Sequence, residues 1–550
     1  MPLTRRDFLK RIGAGAASLA AAWILEGCRA AGVPVPTPTR AASTPPNPTP
    51  TITPAPTPSV PPIAARLSAD VSRLIGTVDG KLWANIGFDP MFSHTTAPAT
   101  QPVWDLIRES RAFRYIRCHN TFSDAQPGAR PDQTMGCRVY SEDAGGAARC
   151  NFQYLDQVLD TWCAVGVKPI LEMDFMPDAL ADGAIVRNYS GGAINAPRDF
   201  GKWREMIFQT VKHCLARYGA DAVRSWYFEI WNEPDLSTYF VDGATPLLPQ
   251  KFTAERLTRF NKMYDYFVDG ATAADAQIKV GGPGLAGHDD FLKVFLDHIT
   301  SGTNAATGAR GTRADFISWH VYDSSQGVLN RNRARRAMVR SYPALANAEL
   351  LQDEWGQKLR LNEDGRTPTV MNEYDTAFLC RTIDNNLNSP DASVDLFLRW
   401  GQVLNGWRAL TQRFGDAVVP LPIFNAYALL GKLGVERVAI DNSASGANVR
   451  AFAARRGTAA QIVVYRFDET DEDGAGAPVG VELTIKGIAG STVSFNHYRI
   501  DREHGNAYRA WVALGRPKNP TSAQAAEIAA KAKLTPETAT VSIENGAARL

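Results

Sequence analysis

Ser225-Trp226-Tyr227-Phe228-Glu229-Ile230-Trp231-Asn232-Glu233-Pro234 is an apolar, aromatic run that ends abruptly in amide, carboxylate and proline. Aromatic and β-branched residues favour an extended strand, and the proline marks its stop. The segment therefore predicts a buried strand that delivers a carboxylate at its C-terminal end.

Working outward, similar short runs recur on both sides: Ala84–Phe88, Tyr115–Asn120, Lys168–Asp174, Ile278–Gly282, Phe316–Tyr322, Glu349–Glu354 and a weaker one at Asn405–Thr411. Between them, Phe152–Val165, Phe200–Tyr218, Thr253–Ala274 and Asp289–Ile299 place apolar residues at helical spacing. Strand and helix in alternation predict βα units, and eight strands predict a closed (β/α)8 TIM barrel over 64–435. A doubly wound open sheet is the competing arrangement, but no strand is followed by G-x-G-x-x-G or by a G-x-x-x-x-G-K-[ST] loop.

After Phe424-Asn425-Ala426-Tyr427, read as the last barrel helix, the pattern changes to short strands at Val449–Ala454, Ala460–Phe467, Val479–Ile485 and Thr492–Arg499. Gly and Asp turns separate them, which predicts a C-terminal β-sandwich accessory domain over 436–550. Ala539–Glu544 is a candidate final strand, with residues near Arg66–Leu74 as its partner.

The N-terminus reads as an address. Arg5-Arg6 before a short apolar stretch, Ile12 to Leu25, resembles a twin-arginine export signal over 1–28, and the stretch is shorter than the roughly 20 residues that span a bilayer. Leu25-Glu26-Gly27-Cys28 resembles a lipoprotein box with Cys28 as the lipidated residue, although Glu26 departs from the small residue usual there. Residues 29–63 are rich in Pro and Thr, which favours an extended linker. Together they predict export, with the enzyme held at the cell surface or released into the periplasm or medium.

Across all 550 residues the formal net charge is +2, so no global field points to nucleic acid. The seven cysteines follow no zinc-like spacing, and His94, His119, His213, His288 and His320 show no metal-binding pairing, so neither a metal nor another cofactor is expected. Cys137 and Cys150 read equally as a local disulfide or as two buried thiols.

Catalytic groups of such a barrel gather at the C-terminal ends of its strands. Two carboxylates end there: Glu233 on the fourth strand and Glu354, in Gln352-Asp353-Glu354-Trp355-Gly356, on the seventh. One proton donor and one ionised carboxylate are what glycoside hydrolysis needs, and a separation of about 5–5.5 Å gives retention of configuration. Asp353 should face away from Glu354 on an alternating strand, and Glu172 and Glu229 should pair within the barrel wall.

Tyr115-Ile116-Arg117 with His119, Lys168-Pro169 followed by Phe175-Met176-Pro177, Trp231-Asn232-Glu233-Pro234, Ser318-Trp319-His320-Val321-Tyr322, and a distal Tyr498-Arg499-Ile500-Asp501 with His504 and Asn506-Ala507-Tyr508 together resemble glycoside hydrolase family 39, the β-xylosidase and α-L-iduronidase family. That resemblance implies a retaining glycosidase with Glu233 as acid/base and Glu354 as nucleophile. It further implies that Asn232 contacts the sugar 2-hydroxyl, that His119 lines the glycone subsite, and that His320 and Tyr322 orient Glu354. Trp355-Gly356 after Glu354 depart from the small or polar residue usual in the family. A catalytically inactive carbohydrate-binding or cell-surface structural protein is the competing class, and the presence of both glutamates speaks for the enzyme. The expected partner is a carbohydrate.

Overall fold

A computed structural model describes residues 63–124, 136–241, 254–358, 371–406, 408–444, 446, 448–471 and 476–550. The export signal, Cys28 and nearly all of the linker lie outside these residues.

Eight parallel strands close into a barrel, each paired with the next in sequence and the last with the first. They are β1 (Asn85–Phe88), β2 (Tyr115–Cys118), β3 (Lys168–Met173), β4 (Tyr227–Ile230), β5 (Lys279–Leu285), β6 (Phe316–Tyr322), β7 (Glu349–Gly356) and β8 (Leu396–Trp400). The sequence reading misplaced β8. Thr411 instead belongs to the hairpin of Thr411–Phe414 and Ala417–Pro420, whereas Leu396–Trp400 pairs with β7 and β1. Arg399 disguises this strand, because its charge is answered from outside the barrel by Asp375 at 2.6 Å.

The crossover helices match the apolar periodicity. Phe200–Tyr218 starts where the Asp199 side chain accepts from Lys202 N, stops at Gly219 with φ 84°, and buries Trp203, Met206, Ile207, Val211 and Cys214. A carboxylate at the N-cap satisfies a free N–H, and glycine adopts the left-handed stop without strain. Ser325–Arg340 and Glu373–Asn388 follow β6 and β7; they were not anticipated, the first being Arg- and Asn-rich.

Inward-facing residues stack in layers. Tyr115, Tyr227, Phe316, Ile170, Leu351 and Leu396 fill the lower barrel. At the floor, Glu349 accepts from Tyr227 at 2.6 Å and is paired with Lys81 and Lys279. Burial pushes the Glu349 carboxyl up, but the two lysines and the tyrosine outweigh it and bring it down to about 2. Above the apolar layer lies a charged one, Arg117, Glu172 and Glu229, two residues further along β2, β3 and β4. The period of two that carries an apolar residue inward also carries these charges inward.

The alternation fails on β7. Leu351 lies opposite Ser318, yet Glu354 lies opposite His320, so β7 holds one extra residue in a β-bulge. Asp353 therefore does not face away from the site as expected. It turns inward, 3.6 Å from His320 Nε2 and 3.9 Å from Arg117 Nε.

The accessory sheet has six strands, in the order Ala459–Arg466, Val449–Arg456, Glu436–Asp441, Ile63–Thr77, Gly480–Lys486 and Ala547–Arg549. Ile63–Thr77 runs antiparallel to Glu436–Asp441 and parallel to Gly480–Lys486. It does not pair with the strand near 539–544, which joins Thr492–His497 in a separate ribbon. Asn425, on the last barrel helix, donates to Gly505 O and Ala532 O and ties this part to the barrel. The six described cysteines are free thiols; Cys137 lies 3.7 Å from Met91 Sδ and is not bonded to Cys150.

Candidate active site

The segment that opened the sequence reading ends in a turn. Trp231 and Glu233 have φ of 57° and 45°, a left-handed conformation that costs a non-glycine residue on the order of 1–3 kcal/mol. The turn is held by Trp231 Nε1 donating to Tyr239 O at 2.7 Å and Glu233 N donating to Gly284 O at 2.9 Å. It sends the Trp231 indole against Phe175 and Phe240 and leaves Asn232 and Glu233 at the mouth. Gly284, with φ 61°, has no room for a side chain without crowding Arg117 and the Trp231 carbonyl at 3.3–3.4 Å.

Asp235 fixes the next step. Its carboxylate accepts from the backbone N–H of Ala286, Gly287 and His288 and lies 3.0 Å from His288 Nδ1. Burial raises this carboxyl, but those bonds outweigh it and hold it below the ordinary range. Asp235 thus ties the turn after β4 to the start of the loop after β5.

Glu233, His320 and Glu354 converge from β4, β6 and β7, with an oxygen or ring nitrogen of each within 4.8 Å of the other two. His320 Nδ1 is 2.9 Å from Glu233 Oε1 and 3.6 Å from Glu354 Oε2. Tyr322 donates to Glu354 Oε1 at 2.6 Å. Of the two side chains expected on Glu354, Tyr322 is bonded to it, whereas His320 sits closer to Glu233. Glu233 and Glu354 are 2% and 6% exposed, enough for a ligand to touch them but little enough to exclude bulk water.

Arg117 binds the charged layer together. It pairs with Glu172 at 2.5 Å and Glu229 at 2.7 Å, reaches Glu354 at 3.5 Å and donates to Asn232 Oδ1 at 3.2 Å. With its carbonyl taken, Asn232 keeps a buried amide nitrogen that has no partner. An unpaired buried donor is costly unless a ligand answers it. His119 lies 2.8 Å from Glu172, 3.9 Å from Glu354, and packs against Trp400 in a tilted arrangement with ring centroids 4.3 Å apart.

Electrostatics follow from one buried cation among several acids. Burial works against the charge on Arg117, but Glu172, Glu229, Asp353 and Glu354 keep its pKa well above the usual value. Burial lifts Glu172 and Asp353 well above the carboxylate range, Arg117 opposing and neighbouring carboxylates reinforcing the rise. Glu354 is raised by burial too, while His119, Arg117 and Tyr322 pull it down. Burial pushes His119 down to about 4 and His320 well below its ordinary value, so both rings are neutral near pH 7.

Two trios have the spacing to hold a metal, Glu233/His320/Glu354 and His119/Glu172/Asp174. The Arg117 guanidinium contacts Glu172 and Glu354, one carboxylate in each, so a divalent cation would face a fixed positive charge in either place.

Sequence reasoning found the two glutamates, His119, Asn232, His320 and Tyr322, and the fold brings all six to one mouth. It gave no role to Arg117, Asp353, Trp400 or Asp89, which accepts from Asn120 at 2.8 Å beside the same opening. Arg117 was detectable as a charge embedded in an apolar strand and Asp89 as an acid just past the end of β1; Trp400 was hidden by the misplacement of β8.

The family model for glycosyl hydrolases family 39 matches residues 77–548. A β-xylosidase of Geobacillus stearothermophilus is 27% identical over 457 residues, covering 77% of this chain and 80% of its own. An α-L-iduronidase of Canis lupus familiaris is 25% identical over 485 residues, covering 80% and 69%. The crystal structure of a monomeric β-xylosidase from Caulobacter crescentus superposes with a TM-score of 0.69 at 20% identity, covering 88% of this chain and 98% of that one.

Proposed function

The chain belongs to glycosyl hydrolases family 39 and is a glycosidase, and on that premise we propose that it cleaves β-xylosides by double displacement, Glu354 attacking and Glu233 moving the proton. The observation that carries this reading is the spacing at the mouth, where a Glu233 and a Glu354 carboxylate oxygen lie within 4.8 Å of each other. Inverting enzymes hold their carboxyl groups about 6.5–9.5 Å apart to admit a water, and retaining ones about 5–5.5 Å apart.

In the first step a Glu354 oxygen bonds to the anomeric carbon as the glycosidic bond breaks, and Glu233 gives its proton to the departing oxygen. In the second, water attacks that carbon, Glu233 takes the water's proton, and the Glu354 ester is released. Tyr322 holds Glu354 by the oxygen that does not face His320, which leaves a defined atom to attack. Esterification removes the Glu354 charge, so the carboxylate left on Glu233 no longer faces a second anion. The unpartnered Asn232 amide is placed to donate to the 2-hydroxyl, a bond that strengthens as oxocarbenium character develops. His119, packed against Trp400, lines the glycone subsite.

The β-xyloside assignment comes from the named relatives. Export through Arg5-Arg6, with Cys28 as a lipid anchor and the Pro/Thr linker as spacer, completes the proposal and rests on the sequence.

The test is to treat the purified enzyme with a 2-fluoro-xyloside inactivator and map the labelled peptide. Label on Glu354, together with azide rescue of Glu354→Ala giving an inverted azide product, is the expected result. Label on Asp353 or Glu172, or an inverted product from the parent enzyme, would overturn the mechanism.

A further inference from the structure

His320 lies in contact range of both catalytic carboxyl groups, and its ring carries a second polar atom on the far side. Its Nδ1 is 2.9 Å from Glu233 and 3.6 Å from Glu354, whereas its Nε2 is buried without a hydrogen-bond partner. Facing that nitrogen at 3.6 Å is Oδ1 of Asp353, a buried carboxyl that also stands against Glu229. A buried ring nitrogen and a carboxyl that face each other are both satisfied if one carries a proton and the other a lone pair.

From this arrangement, and resting on the roles given above to Glu233 and Glu354, we propose that Asp353 is a positioning residue that holds its own proton, donates it to His320 Nε2, and thereby fixes the tautomer with which His320 serves Glu233. A neutral imidazole has one N–H. Placed on Nδ1, it points at two carboxyl groups; placed on Nε2, it would leave the Nδ1 lone pair against their oxygens. Nδ1–H is thus the favoured form, and it requires a donor at Nε2. Asp353 fills that need because its carboxyl is kept neutral: it is fully buried beside the Glu229 carboxyl, and Arg117, 3.9 Å away, is already engaged by Glu172 and Glu229. The other charges facing the imidazole are Arg117 and His119 from β2 and Arg335, which donates to the His320 carbonyl from the helix after β6.

The consequence concerns Glu233. When Nδ1–H donates to Oε1, the proton of the acid belongs on Oε2, free to be aimed at the leaving oxygen. After transfer the same N–H stabilises the carboxylate that must next accept a proton from water. The β7 bulge is what makes this possible, since without the extra residue Asp353 would face away from the barrel axis.

The experiment has two arms. In the full-length enzyme labelled with ¹⁵N-histidine, the His320 signals, identified by their loss in His320→Gln, should report a neutral ring protonated at Nδ1. In kinetics, Asp353→Leu should lose about tenfold in kcat/KM for aryl xylosides with poor leaving groups, a fraction of the roughly 10²–10⁴ that a positioned acid supplies, and little for dinitrophenyl xyloside. Asp353→Asn, whose amide can donate to Nε2, should recover most of that loss.

A His320 proton resident on Nε2, or an Asp353→Leu loss equal for good and poor leaving groups, would overturn the proposal. Should Asp353→Leu not fold, the tautomer in the parent enzyme decides alone. Failure of the underlying reading shows up separately, as a Glu233→Gln variant whose loss does not depend on the leaving group.

Discussion

Removing the Tyr322 hydroxyl takes away the shorter of the hydrogen bonds that hold Glu354, the other coming from Arg117. In Tyr322→Phe the ring stays, and the 2.6 Å bond to Oε1 is lost. A hydrogen bond to a charged group contributes roughly 1.5–3 kcal/mol, and one pKa unit corresponds to about 1.36 kcal/mol. The bond favours the ionised carboxylate, so its loss should raise the Glu354 pKa by about 1–2 units. Glu354 starts above the ordinary carboxylate value because burial outweighs the help from His119, Arg117 and Tyr322. In the proposed mechanism attack requires the ionised form, so activity should be lost as pH falls through this pKa, and the acidic limb of kcat/KM should move to higher pH in the variant. The plateau above the limb should fall less, because a carboxylate short of one donor is also the stronger nucleophile. The assay is a pH profile with a single aryl xyloside, with circular dichroism confirming the fold at each pH. An acidic limb that stays in place would show that the phenol does not stabilise ionised Glu354, and the reasoning would fall.

At the barrel floor, Glu349→Gln should cost stability only where the carboxylate is ionised: its folded pKa is depressed to about 2, so its contribution is present above the unfolded value and is lost as pH falls through about 2. Urea midpoints of parent and variant should therefore differ by an amount equivalent to about 1–3 kcal/mol at pH 7 and converge toward pH 2. Gly356→Ala would put a Cβ within 2.0 Å of the Arg408 guanidinium, which lies over the Tyr322 ring at 5.5 Å. Overpacking of this kind costs about 1–3 kcal/mol, and a urea midpoint unchanged from the parent would refute the close fit. Replacing Arg5 and Arg6 by lysine should leave folded precursor in the cytoplasm, and normal export of that variant would point to another route.

The legible part of this protein was its periodicity. Tyr115, Arg117 and His119 go inward together because side chains alternate, so the register of β2 could be read before any contact was known. Seven of the eight strands were placed for the same reason. The failures share a cause, which is information held by another element of the fold. Arg399 makes Leu396–Trp400 look interrupted until Asp375 is seen opposite it. The extra residue of β7 is invisible in Gln352-Asp353-Glu354, because a bulge exists only relative to the register of a neighbour. His320 was aimed at Glu354 by its place on the strand, yet the left-handed turn at Trp231 and Glu233 carries Glu233 closer to it. Arg117 could be noticed as a charge in an apolar run, but its value comes from carboxylates on β3, β4 and β7.

The six-stranded sheet also sets a timetable for biosynthesis. Its strand Ile63–Thr77 emerges from the ribosome before any of the barrel, but its parallel partner Gly480–Lys486 follows roughly 400 residues later. At about 5–20 residues per second, the edge that takes this partner waits on the order of 20–80 s, and the strand for the other edge, Glu436–Asp441, is made only shortly before. The barrel has no such dependence, because each of its strands pairs with the next one made, and it closes when β8 reaches β1. Synthesis therefore delivers a finished catalytic mouth beside an orphan strand rich in aggregation risk, and a chaperone that shields residues 63–77 during that interval would raise the yield of the whole enzyme without touching the half that does the chemistry.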